Sequence, residues 1–461
     1  MFTSVDFLPL VIYILILLYL GFRYQTPSSN SDEYLLSSRT LTVPAFVATL
    51  VTTWYGGILG IGEFAHQFGI AVWVVFGLPF YVFAILFAIF LAPKIRSAMN
   101  VSIPDMLYQT YNKPVGLLGS VFIIFMTSPA PYILMLAVLV DLIFNISFVW
   151  SVLMGTVFSV VYVYKGGFRS IVLTDKLQFV FMFAGFTALF GFLHFSELSV
   201  FDLPNKLDGH HKDWTGGLSW QNIIVWFLIA SWTFIDPGFH QRCAAARNTQ
   251  TARKGILISV GFWFIFDMLT MVTGLYAYVL LPEIEPLMAY PELALNVLPV
   301  FVRGIFFTGL LAIIMSTIDS FTFLSAITFG RDIYGLYKPD NKTDPSYRPI
   351  RWGLSLTAVV AVALIFSTPS VVRLWYNLGT LFIPPLLIPV LGSYWSVFQL
   401  NGKKVFAMMS ASFALTFSSF LWGELHKVDG TAQYFFGVEP FFPGLFLSIV
   451  LLLVFKVFND L

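Results

Sequence analysis

Apolar residues run in long blocks along this chain, each closed by a short polar stretch or by glycine and proline. A helix needs about 20 apolar residues to cross the hydrocarbon of a bilayer. On that template the pattern predicts thirteen helical spans, near 6–22, 41–68, 71–93, 115–144, 147–164, 171–194, 219–240, 253–281, 297–329, 349–367, 371–398, 404–423 and 440–457. The longest polar gaps, Arg23 to Thr40 and Phe195 to Gly217, are loops rather than soluble catalytic domains. The first block has no basic residue before it and no small-residue cleavage site after it. It therefore reads as a retained helix and not a signal peptide.

Composition agrees. The chain is 58% hydrophobic and 11% charged, where a soluble domain carries roughly a quarter charged residues. The expectation is an all-α integral membrane protein whose surroundings are the lipid bilayer, with no nucleic-acid partner. Cys243 is the one cysteine, so no intramolecular disulfide can form. The net charge of +1 hides a strong asymmetry. If the N-terminus lies outside, all of the 25 Lys and Arg except Lys206, Lys212, Arg303, Arg373 and Lys427 fall on the inner side. That bias predicts a multi-pass protein of the plasma (inner) membrane with its C-terminus in the cytoplasm.

Two spans are interrupted. The second carries Gly56, Gly57, Gly60 and Gly62; the seventh carries Asp236-Pro237-Gly238. Such clusters weaken a helix and free backbone groups. At membrane depth this is tolerated where the backbone lines a cavity or is buried in protein. The two spans lie five apart, as they would if residues 41–195 and 218–400 were inverted repeats, each opening on a broken helix. Residues 1–40 would then form a leading helix and loop, and 401–461 two trailing helices. Glycines that merely allow close helix packing are the alternative.

The ninth span contains Thr308-Gly-Leu-Leu-Ala-Ile-Ile-Met-Ser-Thr-Ile-Asp-Ser320. Its hydroxyls could bond back to their own helix. They could equally supply oxygens to a small hard cation. Asp175, which follows Gly166-Gly167 in the sixth span, could cap that helix or ligate an ion. Arg242 and Arg247 close the seventh span, where positive charge is expected on the inner side. Asp267 lies about fourteen residues into the eighth span, roughly 20 Å at the helical rise, and is a functional candidate by depth. Glu63 and Asp141 lie nearer the outer mouth. No Ser-His-Asp, Cys-His, zinc or phosphate-loop constellation is present, so an enzyme is not expected.

Several segments together resemble the sodium/solute symporter family: Thr53-Trp54-Tyr55-Gly56-Gly57, Gly166-Gly167 through Thr174-Asp175 to Gln178, Gln241-Arg242 with Ala245-Ala246, Met315-Ser316-Thr317 with Asp319-Ser320, and Asp332-Ile333-Tyr334. The resemblance runs from about residue 30 to residue 400. It implies a LeuT-like core of two five-helix inverted repeats and sodium-driven uptake of a small-molecule substrate by alternating access. It places a first Na+ site on the carbonyls of Thr52, Tyr55 and Ile313 and the hydroxyls of Ser316 and Thr317. A second Na+ site would use Asp175, Ser316, Asp319 and Ser320, with Asp at 319 where such relatives carry Ser.

The substrate pocket is expected around Trp54, Gly57, Phe76, Trp232, Asp236, Trp263 and Asp267. Phe76 and Trp263 stand where sugar-transporting relatives place polar groups, which argues against a sugar. An amino acid, a carboxylate or a quaternary amine stay open, the last because aromatic faces hold ammonium groups. Proton coupling through Asp175, Asp319 or Asp267, or a non-transporting sensor with the same fold, are the alternatives. The protein is expected to work as a monomer.

Overall fold

The structure, a computed structural model, describes residues 2–23, 31–337, 348–368, 370–428 and 432–457. Lys338 and Lys342, assigned to the inner side above, lie outside the described residues, as does the C-terminal end. Among the described residues, ten helices are long and apolar enough to cross a membrane, and three more apolar helices are shorter. In chain order they are α1 (Phe7–Arg23), α2 (Val43–Phe68), α3 (Trp73–Ala98), α4 (Lys113–Phe144), α5 (Phe148–Val157), α6 (Gly167–Glu197), α7 (Trp220–Ala245), α8 (Thr249–Leu280), α9 (Val302–Ile333), α10 (Pro349–Ser367), α11 (Val371–Gly392), α12 (Gly402–Leu425) and α13 (Phe441–Val457). The short ones are α1, α5 and α13. Leu41 and Ala246 pair in an isolated parallel bridge.

α9 is the axis of the molecule. Its most apolar stretch lies wholly inside the protein, whereas α6, α8, α10 and α12 leave most of theirs facing outward. α9 packs against α1, α2, α4, α6 and α10. A helix surrounded on all sides must satisfy its polar residues through neighbouring helices, which is what makes its Ser and Thr informative.

Both predicted interruptions are present. In α2 the α-helix ends at Trp54, a 3-10 turn runs Tyr55–Gly57, and an α-helix resumes at Ile58. Gly56 is needed by close approach: a Cβ there would lie 2.1 Å from Thr317 Oγ1 of α9. At Gly57 a Cβ would lie 1.7 Å from the Trp375 ring of α11. The break in α2 is thus clamped between α9 and α11. In α7 the 3-10 stretch Ala230–Ile235 begins well before the Asp-Pro-Gly triplet. Asp236 then turns to an extended conformation and caps Pro237–Ala245, its Oδ1 accepting from Phe239 N–H at 2.8 Å. The bend between α5 and α6 falls at Gly167, whose φ of 61° suits glycine. π-helical turns at Trp73–Gly77, Phe87–Leu91, Leu193–Glu197 and Thr328–Ile333 have no counterpart in the hydropathy pattern.

Candidate ion and solute site

Where α9 crosses the break in α2, the two readings of its hydroxyls separate. Thr308 Oγ1 donates to the Gly304 carbonyl at 2.7 Å, and Thr52 Oγ1 to that of Ala48 at 2.7 Å, so both bond back along their own helices. Ser316 does not, and Thr317 does so only over the longer of its two contacts. Ser316 Oγ donates to Asp175 Oδ1 at 2.6 Å and lies 3.2 Å from Thr53 Oγ1. Thr317 Oγ1 donates to the Thr53 carbonyl at 2.7 Å, and the Ile313 carbonyl lies 3.4 Å away. The Tyr55 amide turns back onto the Thr52 carbonyl as the helix tightens. Ser316 and Thr317 thus meet α2 at Thr53 and Gly56, the chain neighbours of Thr52 and Tyr55. Each donating hydroxyl keeps lone pairs for a cation.

Asp175 does not cap its helix. Its carboxylate reaches across, accepting from Ser316 on α9 and from the Thr49 hydroxyl on α2. Beside it lies a residue the sequence did not single out for this role. Arg242, placed above at the inner end of the seventh span, is fully buried. Its Nη2 donates to Thr53 Oγ1 at 2.7 Å, Thr49 Oγ1 at 2.9 Å and Ser320 Oγ at 3.1 Å, and lies 3.8 Å from Asp175 Oδ2. Nη1 donates to the Gly238 carbonyl at 3.3 Å. The guanidinium ties the second half of α7 to α2 and α9 and compensates Asp175. The signal that could have found it is its setting in Gln241-Arg242, directly after a broken helix.

Asp319 is the opposite case. It is fully buried, and among the described residues neither carboxylate oxygen has a hydrogen-bond partner. A lone buried carboxylate is costly unless it is neutralised or meets a cation. Gln178, also fully buried, leaves Oε1 without a partner while its Nε2 donates to Tyr13 OH at 3.0 Å. Ser320 faces Thr53 at 3.2 Å as well as Arg242. Of the four expected second-site residues, Asp175, Ser316 and Ser320 share one buried network through which Arg242 also runs, and Asp319 makes no bond to it.

A cavity opens beside this network. Trp54, Tyr55, Gly57, Phe76, Trp232, Asp236 and Asp267 line it, as do Thr53 and Arg242. Trp263 is buried behind Trp54, the ring centroids 5.6 Å apart. Phe80 and Phe239 pack edge-on against Trp54 at 5.1 and 5.3 Å. Phe80, Tyr132, Phe321 and Trp375 complete an aromatic wall that the sequence did not distinguish from packing residues. The arrangement offers apolar faces, a few fixed charges and an adjoining nest of oxygens. Nothing in it forms a nucleophile–base pair.

A profile of the sodium:solute symporter family matches residues 34–410. The chain is similar to the sodium/pantothenate symporter of Haemophilus influenzae, 26% identical over 84% of this chain and 85% of the relative. It is also similar to a sodium/proline symporter of Staphylococcus aureus, 20% identical over 96% of this chain and 91% of the relative. Among solved structures it shares its fold with a substrate-bound outward-open Na+-coupled sialic acid symporter, with a TM-score of 0.80 at 15% identity over 99% and 98% of the two chains. A nucleobase-cation-symport-1 family transporter matches at a TM-score of 0.60 and 13% identity over 94% and 96%. The fold is the LeuT-like arrangement, and a family profile spans most of the chain: this protein belongs to the sodium:solute symporter family.

Proposed function

We propose that this protein couples the inward movement of Na+ to uptake of a small, largely apolar organic solute. The observation that carries the reading is the meeting of Ser316, Thr317 and the α2 break beside an aromatic-lined cavity. A monovalent ion held mainly by neutral oxygens can bind and still leave. Bound there, it would fasten α9 to the broken segment of α2, whose Trp54, Tyr55 and Gly57 line the solute cavity. Filling one site would thus preform the other. Residues 41–195 and 218–400 act as inverted repeats, each opening on its broken helix, within thirteen spans. The N-terminus lies outside, the C-terminus lies in the cytoplasm, and a monomer carries out the cycle in the plasma membrane. The aromatic wall suits an apolar body better than a ring of sugar hydroxyls. The test is uptake into proteoliposomes of amino acids, carboxylates, amines and sugars under an inward sodium gradient. Uptake that follows a proton gradient and ignores sodium would refute the coupling.

A second cation site is proposed at Asp319, with Asp175, Ser316 and Ser320. Its support is the unpartnered, fully buried Asp319 carboxylate. Replacing Asp319 with Ser should lower the number of sodium ions moved per solute. If instead the ratio holds and a pH dependence of uptake disappears, Asp319 carries a proton.

A further inference from the structure

We propose that the cavity selects a solute bearing a protonated amine with at least one N–H, and that Asp267 receives that group. The inference rests on reading the cavity as the solute site. Asp267 lies in the cavity wall, within α8 and far from either helix end. Its Oδ1 accepts from Tyr55 OH at 2.6 Å, and its Oδ2 accepts from the Tyr81 hydroxyl. The Tyr55 hydroxyl also lies 3.0 Å from the Trp263 carbonyl, and the shorter contact is the one to Asp267.

Both tyrosines are neutral. Among the described residues, the ion pairs join other acids to Arg, Lys or His, and none involves Asp267. The other charges on the wall are already compensated. Asp236 sits at a helix N-terminus and accepts the Phe239 amide, where the helix dipole favours an anion. Arg242 is engaged by Thr49, Thr53, Ser320 and Asp175. Asp267 has no helix end and no cation.

A carboxylate fixed by two hydroxyls still offers free lone pairs, because it can accept at about four positions. Charge-assisted N–H donors are the strongest partners for them. Trp54, Phe76, Phe80 and Tyr132 supply aromatic surface for the rest of such a solute, and aromatic faces attract ammonium groups as well. A quaternary ammonium has no N–H to give Asp267. A solute whose only charge is a carboxylate would meet a like charge. Of the solutes named for the relatives, proline carries an N–H ammonium and pantothenate does not. Tyr55 also ties this group to the ion site, since it belongs to the 3-10 turn at the α2 break.

The test is thermal unfolding of the purified full chain, in sodium and in potassium. The probes are proline, phenethylamine, its trimethylammonium analogue, 2-phenylethanol, 3-phenylpropanoate and pantothenate. Stabilisation by sodium alone checks the symporter reading independently; its absence would remove that reading and this one with it. With sodium response present, an N–H amine should bind about tenfold or more tighter than the neutral, quaternary and purely anionic probes. Asp267→Asn should erase most of that preference. Tyr81→Phe, which keeps the carboxylate, should reduce it and serves if Asp267→Asn does not fold. Sodium stabilisation with no response to either amine would overturn the proposal. So would preferred binding of pantothenate or 3-phenylpropanoate, or a preference unchanged in both variants.

Discussion

Arg242 donates to three hydroxyls and faces one carboxylate, and all five side chains are buried. Removing one partner of such a pair strands the other, which costs about 3–5 kcal/mol. Arg242→Gln should therefore lower the unfolding temperature sharply, and Asp175→Asn in the same chain should recover part of the loss. A double variant no more stable than Arg242→Gln alone would show that the pair is not what holds these helices. Arg242→Lys should not substitute well, because a single ammonium cannot reproduce the spread of donors. The residues around it differ in how legible they were. Ser316, Thr317, Asp175 and Asp319 stood out because oxygen-bearing side chains interrupt apolar blocks. Arg242 did not, because a basic residue near the end of a span already has an explanation in the charge bias. Its depth depends on where α7 breaks, and the 3-10 stretch begins at Ala230, ahead of the Asp-Pro-Gly signal. Phe80, Tyr132 and Trp375 were illegible for another reason. In a chain with 51 Phe, 20 Tyr and 12 Trp, composition cannot tell a wall from packing.

At the scale of elements, the α2 break is a joint whose width is set by glycine. α9 approaches so closely that a Cβ on residue 56 would fall 2.1 Å from Thr317 Oγ1. Gly56→Ala must push Thr317 away from the Thr53 carbonyl that it now meets at 2.7 Å. The expected result is a rise of about tenfold or more in the sodium needed for half-maximal uptake, equal to about 1.4 kcal/mol. Gly191 is the control, with nothing within 4 Å of a Cβ built there. Gly191→Ala should leave sodium dependence alone and stabilise by about 0.4–1 kcal/mol through the unfolded chain. Equal sodium dependence in the two variants would mean that the close approach of α2 and α9 does not shape the ion site. Both breaks were visible beforehand because glycine and proline act on the backbone directly. The π turns were not, since they arise where packing inserts a residue into an otherwise regular helix.

For the whole molecule, the buried axis α9 and the two broken helices form one mechanical unit. Arg242 links α7 to α2 and α9, Tyr55 lies at the α2 break and contacts Asp267 on α8, and Trp375 presses α11 onto the same break. The fold class was legible because lipid imposes long apolar helices with internally satisfied backbones. The tertiary crossings were not, because they depend on side-chain shape. The central claim is that the α2–α9 crossing holds the driving sodium ion, and it can be tested before the solute is known. Anything that binds the native state raises its stability by mass action. The direct measurement is a sodium titration of the unfolding temperature, with potassium as the control, on the wild type and on a chain carrying Ser316→Ala and Thr317→Ala. Sodium and not potassium should stabilise the wild type, and the double variant should need about tenfold more sodium or above. A wild type indifferent to sodium, or a double variant that titrates like the wild type, would contradict it.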